Sequence, residues 1–146
     1  MIRQAGPEDV DAIVAVFEPS FATLAFLPPL HTHAENVAFF GRCVAEGEAY
    51  VLESGFAIVA GDMLTHLYVH PDAIGTGIGG ALLEHVKSRR PDGFRFWVFQ
   101  QNERARRFYE NRGCAVLELT DGSGNEEQTP DALYEWRPAD RGSSAR

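Results

Sequence analysis

Apolar side chains recur along this chain with two periods, one helical and one strand-like, and the switches between them mark its elements. Met1 to Ala5 reads as a short strand. Gly6-Pro7-Glu8-Asp9 then opens a helix, since proline suits a first turn and carboxylates suit its positive end. Val10, Ile13, Val14 and Phe17 follow at helical spacing, and Pro19, Pro28 and Pro29 are expected to break the chain between helices. Thr32-His33-Ala34-Glu35 has the form of a capping box before a second helix, whose buried face is Val37, Phe40 and Val44. Strand-like runs come next at Ala49 to Glu53, Phe56 to Ala60 and Met63 to His70, with connections tight enough for antiparallel hairpins. A glycine-rich turn over Pro71 to Gly80 feeds a helix from about Gly80 to Arg90, with Ala81, Leu82, Leu83 and Val86 as its stripe. Phe94 to Phe99 is a strand, Asn102 to Arg112 a helix stopped by Gly113, and Cys114 to Leu119 and Ala132 to Arg137 are closing strands.

This order, an antiparallel meander followed by a βαβ crossover, predicts a mixed α/β domain over residues 1–137. Thr120 to Asp131 is a polar, acidic connection of unusual length, expected to be either functional or mobile. Residues 138–146 are expected to form a flexible tail.

Composition narrows the class. At 146 residues the chain has the length of one ordinary domain and needs no staple to hold its core. Two cysteines, Cys43 and Cys114, are too few for a disulfide framework or a cysteine-based zinc site. The first residues lack the apolar core of a signal peptide, and no apolar run reaches about 18 residues, so a cytoplasmic protein with no membrane association is expected. The formal net charge of −8 argues against nucleic-acid binding, which rests on basic surface, and suits a cationic substrate.

The strongest local signal is Ile74-Gly75-Thr76-Gly77-Ile78-Gly79-Gly80, running straight into a helix. Glycines let a backbone approach an anion closely, and the free N–H groups of loop and first turn then point at it, so a pyrophosphate is the natural occupant. Gly75, Gly77 and Gly80 also satisfy G-x-G-x-x-G, but three features weigh against a dinucleotide-binding fold. About 70 residues of other structure precede the loop, a spacer from His70 to Ile74 separates it from the strand, and the next strand ends in Gln100-Gln101 where an acid for the ribose is expected.

With the meander before it and the Asn102 to Gly113 helix after it, the loop resembles the phosphate motif of the GNAT superfamily of acyl-CoA-dependent N-acetyltransferases. That motif runs Gln/Arg-x-x-Gly-x-Gly/Ala, and Ile74 departs from it at the first position. The segment Val98 to Gly113 is similar to the family's second CoA motif, with Cys114 where an aromatic is usual, and Leu67-Tyr68-Val69-His70-Pro71 is similar to the end of its fourth strand. The resemblance covers residues 1–137. It implies a twisted, mainly antiparallel sheet with helices on both faces, acetyl-CoA bound where the fourth and fifth strands splay, an amine as second substrate, direct attack with no acyl-enzyme, no metal, and a homodimer as the assembly.

The same resemblance implies residue roles. Val69 pairs its backbone with the pantetheine arm beside Tyr68, while the Leu67 N–H polarises the thioester carbonyl. Gly75, Thr76, Gly77, Ile78, Gly79 and Gly80 cradle the pyrophosphate. Asn102, Ala105 and Phe108 line the cofactor from the other side, and Tyr109 protonates the departing sulfur. A phenol, with an ordinary pKa of about 10, stays protonated at neutral pH and can donate. Each role has a plainer counterpart: Asn102 as an N-cap, Tyr109 as a core aromatic. His66 invites a reading as the base, but strand parity places it with Leu64 and Tyr68, away from Met63 and Thr65 where family members carry a base. Deprotonation through water or an unidentified group is expected instead. Phe26, His31 and Glu35 are the acceptor-site candidates, in the segment where the family forms that pocket, and the acceptor is expected to be a small primary amine. Arg104, Arg106 and Arg107 read as a solvated helix face. A catalytically weak CoA-binding module, or a transferase using another acyl-CoA, is the alternative function.

Overall fold

Continuous apolar stretches make buried strands, and alternating ones make strands with a single dry face; both kinds occur here. The computed structural model describes residues 1–28 and 30–138, so all but the first residue of the expected tail lies outside the described residues. Contacts divide the chain between Val86 and Lys87 into two compact units.

The first unit holds strands β1 (Arg3–Gln4), β2 (Glu48–Leu52), β3 (Gly55–Ala60) and β4 (Met63–Val69), with helices α1 (Val10–Ala22), α2 (His33–Glu46) and α3 (Ile78–Arg89), the last running on past the division. Each strand pairs antiparallel with the next. Strand β3 is buried over five of its six residues because helices cover both of its faces. On one face Ile13 and Val14 of α1 and Phe40 of α2 close over Ala49, Phe56 and Ile58. Each such side chain contributes roughly 1.5–3 kcal/mol on full burial. On the other face α3 buries Ile78, Leu82, Leu83 and Val86, and His85 meets Tyr50 with ring centroids 4.4 Å apart.

Two local features differ from expectation. Pro19 does not end α1, which continues to Ala22. The last turn is held by contacts within the helix, Phe17 on Phe21 and the Ser20 hydroxyl 2.7 Å from the Val16 carbonyl, and by tertiary ones, Phe17 on Tyr68 and the Ser20 hydroxyl 2.9 Å from the Val69 carbonyl. Secondly, β4 carries a bulge. Val59 faces Leu64 while its neighbour Ile58 faces His66, leaving Thr65 as the extra residue. The parity read from the sequence therefore breaks. His66 and Tyr68 share the α1/α2 face, and Leu64 lies on the opposite one, with Leu67.

The second unit holds β5 (Phe94–Phe99), α4 (Glu103–Glu110), β6 (Cys114–Leu119) and β7 (Asp131–Trp136). Strand β7 inserts between β5 and β6, antiparallel to both. Phe96 stacks on Tyr134 at 5.6 Å and meets Tyr109 of α4 at 4.3 Å, so α4 is fastened by aromatic packing. Cys114 of β6 is buried.

Candidate active site

The glycine loop follows a short helical turn at Pro71–Ala73, capped by the His70 imidazole, which accepts from the Asp72 N–H at 3.1 Å. The Thr76 hydroxyl closes the turn onto the Ala73 carbonyl. Gly75 and Gly77 then take φ of +88° and +90°, a region L side chains rarely adopt, and a Cβ on either would meet only open space. Helix α3 starts at Ile78, two residues earlier than its apolar stripe suggests. Its ladder begins with the Ala81 N–H donating to the Gly77 carbonyl at 3.0 Å. The N–H groups of Ile78, Gly79 and Gly80 precede that ladder and carry the positive end of the helix dipole. The side chain of Ile74, the first residue of the loop, is 45% accessible.

On β4, the half-buried Tyr68 sets its ring edge-on to Phe17 at 5.2 Å and stacked near Phe56 at 5.8 Å. Leu67 lies on the α3 side opposite Ala57, and the Val69 carbonyl is within reach of the Ser20 hydroxyl. His66 sits edge-on to Phe39 and Phe40. The Thr65 hydroxyl, which donates to the Ile58 carbonyl at 3.1 Å, lies 3.0 Å from His66 Nδ1. With its proton directed at Ile58, Thr65 accepts from Nδ1–H, which leaves Nε2 as the unprotonated nitrogen. Desolvation among these rings pushes the His66 pKa down to about 4, so the side chain is neutral at physiological pH and a weak base.

Of the acceptor candidates, Phe26 and His31 lie in the connection between α1 and α2, and Glu35 lies in the first turn of α2. Thr32 and Glu35 form the expected capping box, Thr32 N–H donating to Glu35 Oε1 at 2.7 Å and Glu35 N–H to the Thr32 hydroxyl at 3.2 Å. The first of these bonds holds the Glu35 carboxyl below its ordinary pKa. His31 Nδ1 stands 3.8 Å from the same carboxylate, and Phe26 is half-buried in the preceding turn. Glu18 of α1 accepts from the Asn36 amide at 2.9 Å and meets His33 at 3.0 Å, which fastens the start of α2.

In the second unit Asn102 caps α4, its Oδ1 accepting from the Ala105 N–H at 3.2 Å, while its Nδ2 makes no hydrogen bond to a described residue. Tyr109 is buried on α4, and Phe108, beside it, has the Arg112 guanidinium 4.0 Å above its ring. The arginines of α4 are not all solvated: Arg106 donates from Nε to the Tyr134 hydroxyl at 2.9 Å, and that hydroxyl donates to Glu110. Burial first, and then the bond to Glu110, push the Tyr134 phenol above its ordinary pKa.

Sequence reasoning missed a cavity of about 600 Å³ in this unit, floored by Trp97 and Phe99 and walled by the Thr120–Asp131 connection. The available signal was the alternation in Phe94-Arg95-Phe96-Trp97-Val98-Phe99, which puts a tryptophan on the side of the arginine. Among the described residues no group of three or more potential ligands could hold a metal ion, and no described helix is long and apolar enough to cross a membrane.

Comparison with known proteins locates this arrangement in a family. Residues 34–113 match the model of the acetyltransferase (GNAT) domain. The chain is 30% identical over 122 residues to the peptidyl-lysine N-acetyltransferase YjaB of Salmonella typhimurium, covering 79% of this chain and 83% of that one. It is 31% identical over 80 residues to the peptidyl-lysine N-acetyltransferase YiaC of Escherichia coli, covering 55% and 53%. Among solved structures, apo-YjaB from Escherichia coli superposes with a TM-score of 0.75 at 26% identity over 95% of this chain and 98% of that one. The PaiA N-acetyltransferase from Thermoplasma acidophilum, solved with coenzyme A, shares the fold, with a TM-score of 0.72 at 21% identity over 94% and 98%.

Proposed function

This chain belongs to the GNAT acetyltransferase family, and from that premise we propose that it moves the acetyl group of acetyl-CoA to a primary amine, the lysine side chain of a polypeptide. The observation that carries the reading is the loop from Gly75 to Gly80. Two left-handed glycines with open space at their Cβ positions lead into a helix whose first N–H groups precede its own ladder. Such a cradle suits an anion, and a diphosphate is one that fits it. The lysine acceptor is supported by relatives that carry peptidyl-lysine in their names, and by a net charge of −8, which attracts basic polypeptides.

Within this reading the backbone from Leu67 to Val69 aligns the pantetheine arm, and the Leu67 N–H polarises the thioester carbonyl; one such donor is worth roughly 2.7–4 kcal/mol. Asn102 offers its spare Nδ2–H to the pantetheine while its Oδ1 caps α4. Tyr109 donates its proton to the departing thiolate. His66, neutral with a pKa of about 4, is too weak a base to hold an ammonium proton, so the amine gives its proton through water to bulk solvent before it attacks in its neutral form. Phe26, His31 and Glu35 border the acceptor. Attack is direct, because Cys114 is buried in the core of the second unit and burial raises the pKa of Cys43, which leaves no reactive thiolate to carry an acyl group.

A panel of lysine peptides and small amines, followed by mass spectrometry for a gain of one acetyl group, tests the proposal. Acetylated lysine with stoichiometric release of CoA is expected. Acetylation of small amines alone would overturn the acceptor, and CoA binding without transfer to any amine would overturn the activity.

A further inference from the structure

We infer that the cavity between Trp97 and the Thr120–Asp131 connection binds a positively charged side chain, that of a basic residue in a polypeptide substrate. The inference rests on the polypeptide-acceptor reading above and adds a determinant of specificity to it.

The floor is aromatic. Trp97 leaves 48% of its surface accessible, and Phe99, two residues on, lies on the same side of β5. An indole held open on a strand face is a platform for a cation, and arginine, whose planar guanidinium stacks on rings, uses such platforms most often.

The walls are acidic. Asp131 is 8% accessible, and its carboxylate accepts from two neutral donors, the Thr120 hydroxyl and, at 3.1 Å, the Asn125 amide. No cation pairs with it among the described residues. Glu127 is half-buried, and its carboxylate has no partner among the described residues. No lysine, arginine or histidine lines the cavity. The nearest cation on this face of β5, Arg95, is engaged by Glu135 of β7 at 3.1 Å. Negative charge removed from water calls for a positive partner, and the described residues supply none. An apolar guest would leave these carboxylates desolvated, and an anionic one would be repelled.

The cavity is also formed in advance. Gln100 donates from Nε2 to the carbonyls of Thr120 at 2.8 Å and Asp131 at 2.9 Å, tying both ends of the connection to β5. Inside it, Asn125 donates to the Thr129 carbonyl at 2.7 Å and accepts from the Thr129 N–H at 3.1 Å. A polar loop that satisfies its own groups loses little further freedom when a ligand arrives.

The test uses the full chain, isotopically labelled, without acetyl-CoA. The sequence has only two tryptophans, Trp97 and Trp136, so the indole N–H region of a nitrogen–proton NMR spectrum reports each separately. Acetyl-Gly-Arg-Gly-amide is titrated against the same peptide with norleucine in place of arginine. Arginine is no acceptor for acetyl transfer, so binding is read apart from chemistry. The Trp97 indole signal should move saturably with the arginine peptide, and the Trp136 signal should not. The norleucine peptide should bind at least ~5-fold more weakly, and Glu127→Gln should reduce arginine binding by a similar factor. Followed through the Leu133 amide, Trp97→Phe should keep the preference and Trp97→Ala should lose it; both sites are exposed enough that the fold survives. A stationary Trp97 signal, or equal binding of both peptides, overturns the inference. Lysine acetylation without this shift fails the pocket alone, whereas the shift without any acetyl transfer fails the proposed activity and leaves the pocket standing.

Discussion

Two connections in this protein solve opposite problems. The Ile74–Gly80 loop of the first unit sheds side chains, bends its backbone into left-handed glycine conformations and leaves N–H donors pointing outward. The Thr120–Asp131 connection of the second unit turns side chains onto its own backbone and leaves the carboxylates of Glu127 and Asp131 without cationic partners among the described residues. The first is a donor surface suited to an anion, and the second an acceptor surface suited to a cation. Backbone amides and glycine make the former; aspartate, glutamate, asparagine and a tryptophan floor make the latter. A polar loop thus acquires a binding sign from which of its hydrogen-bonding groups it spends on itself.

The comparison can be broken at several points. The largest effect is expected at Tyr109. Tyr109→Phe should lower turnover about 100-fold or more while CoA affinity changes less than about threefold, since only proton donation is removed. Steady-state kinetics beside calorimetry reads both, and an unchanged turnover would end the acid role. At the anion loop, Gly77→Val imposes a side chain on a φ of +90° and places it where the diphosphate is to lie. CoA binding should weaken roughly 10–100-fold, the loss expected of a charge-assisted hydrogen bond or two. An unaltered calorimetric affinity would remove the cradle from the site.

Within the cation loop, Asn125→Ala deletes three hydrogen bonds that hold the connection together. It should cost about 1–2 kcal/mol and expose the segment to proteolytic nicking. Resistance equal to that of the parent chain would show that the loop does not depend on its internal bonds.

The remaining effects are in acid. His66 has a folded pKa of about 4, below its ordinary value, so stability present above about 6.5 is lost as pH falls towards 4. Asp9 is held down to about 2 by its bond to Arg3 and then by the Gly6 N–H, and its contribution, present above about 4, is lost as pH falls towards 2. Melting temperatures measured down this range should fall in two steps. His66→Phe should flatten the upper one, and Asp9→Asn the lower. A single step, common to both variants, would contradict the assignment.

Much of the candidate site was legible because its signals are contiguous. Thr32 and Glu35 are three residues apart and need only each other to cap α2, and the glycine loop declares its backbone conformation in a run of seven residues. Asn102 showed its cap in the same way. What stayed hidden depended on partners distant in sequence. The bulge at Thr65 exists only in the pairing of β4 with β3, and it reverses the face on which Leu64 lies relative to His66. Pro19 should have stopped α1, but contacts from Phe17 to Tyr68 and from Ser20 towards Val69 hold the extra turn.

The sequence by itself determined the elements, their order and the left-handed glycine backbone of the loop, because glycine conformation, capping and hydrophobic period act over a few neighbouring residues. Only the tertiary structure decided that His66 is kept neutral among Phe39 and Phe40, and that Trp97 meets a walled acidic cavity. Burial and charge compensation are properties of what surrounds a group, and those surroundings come from elements that folding brings together.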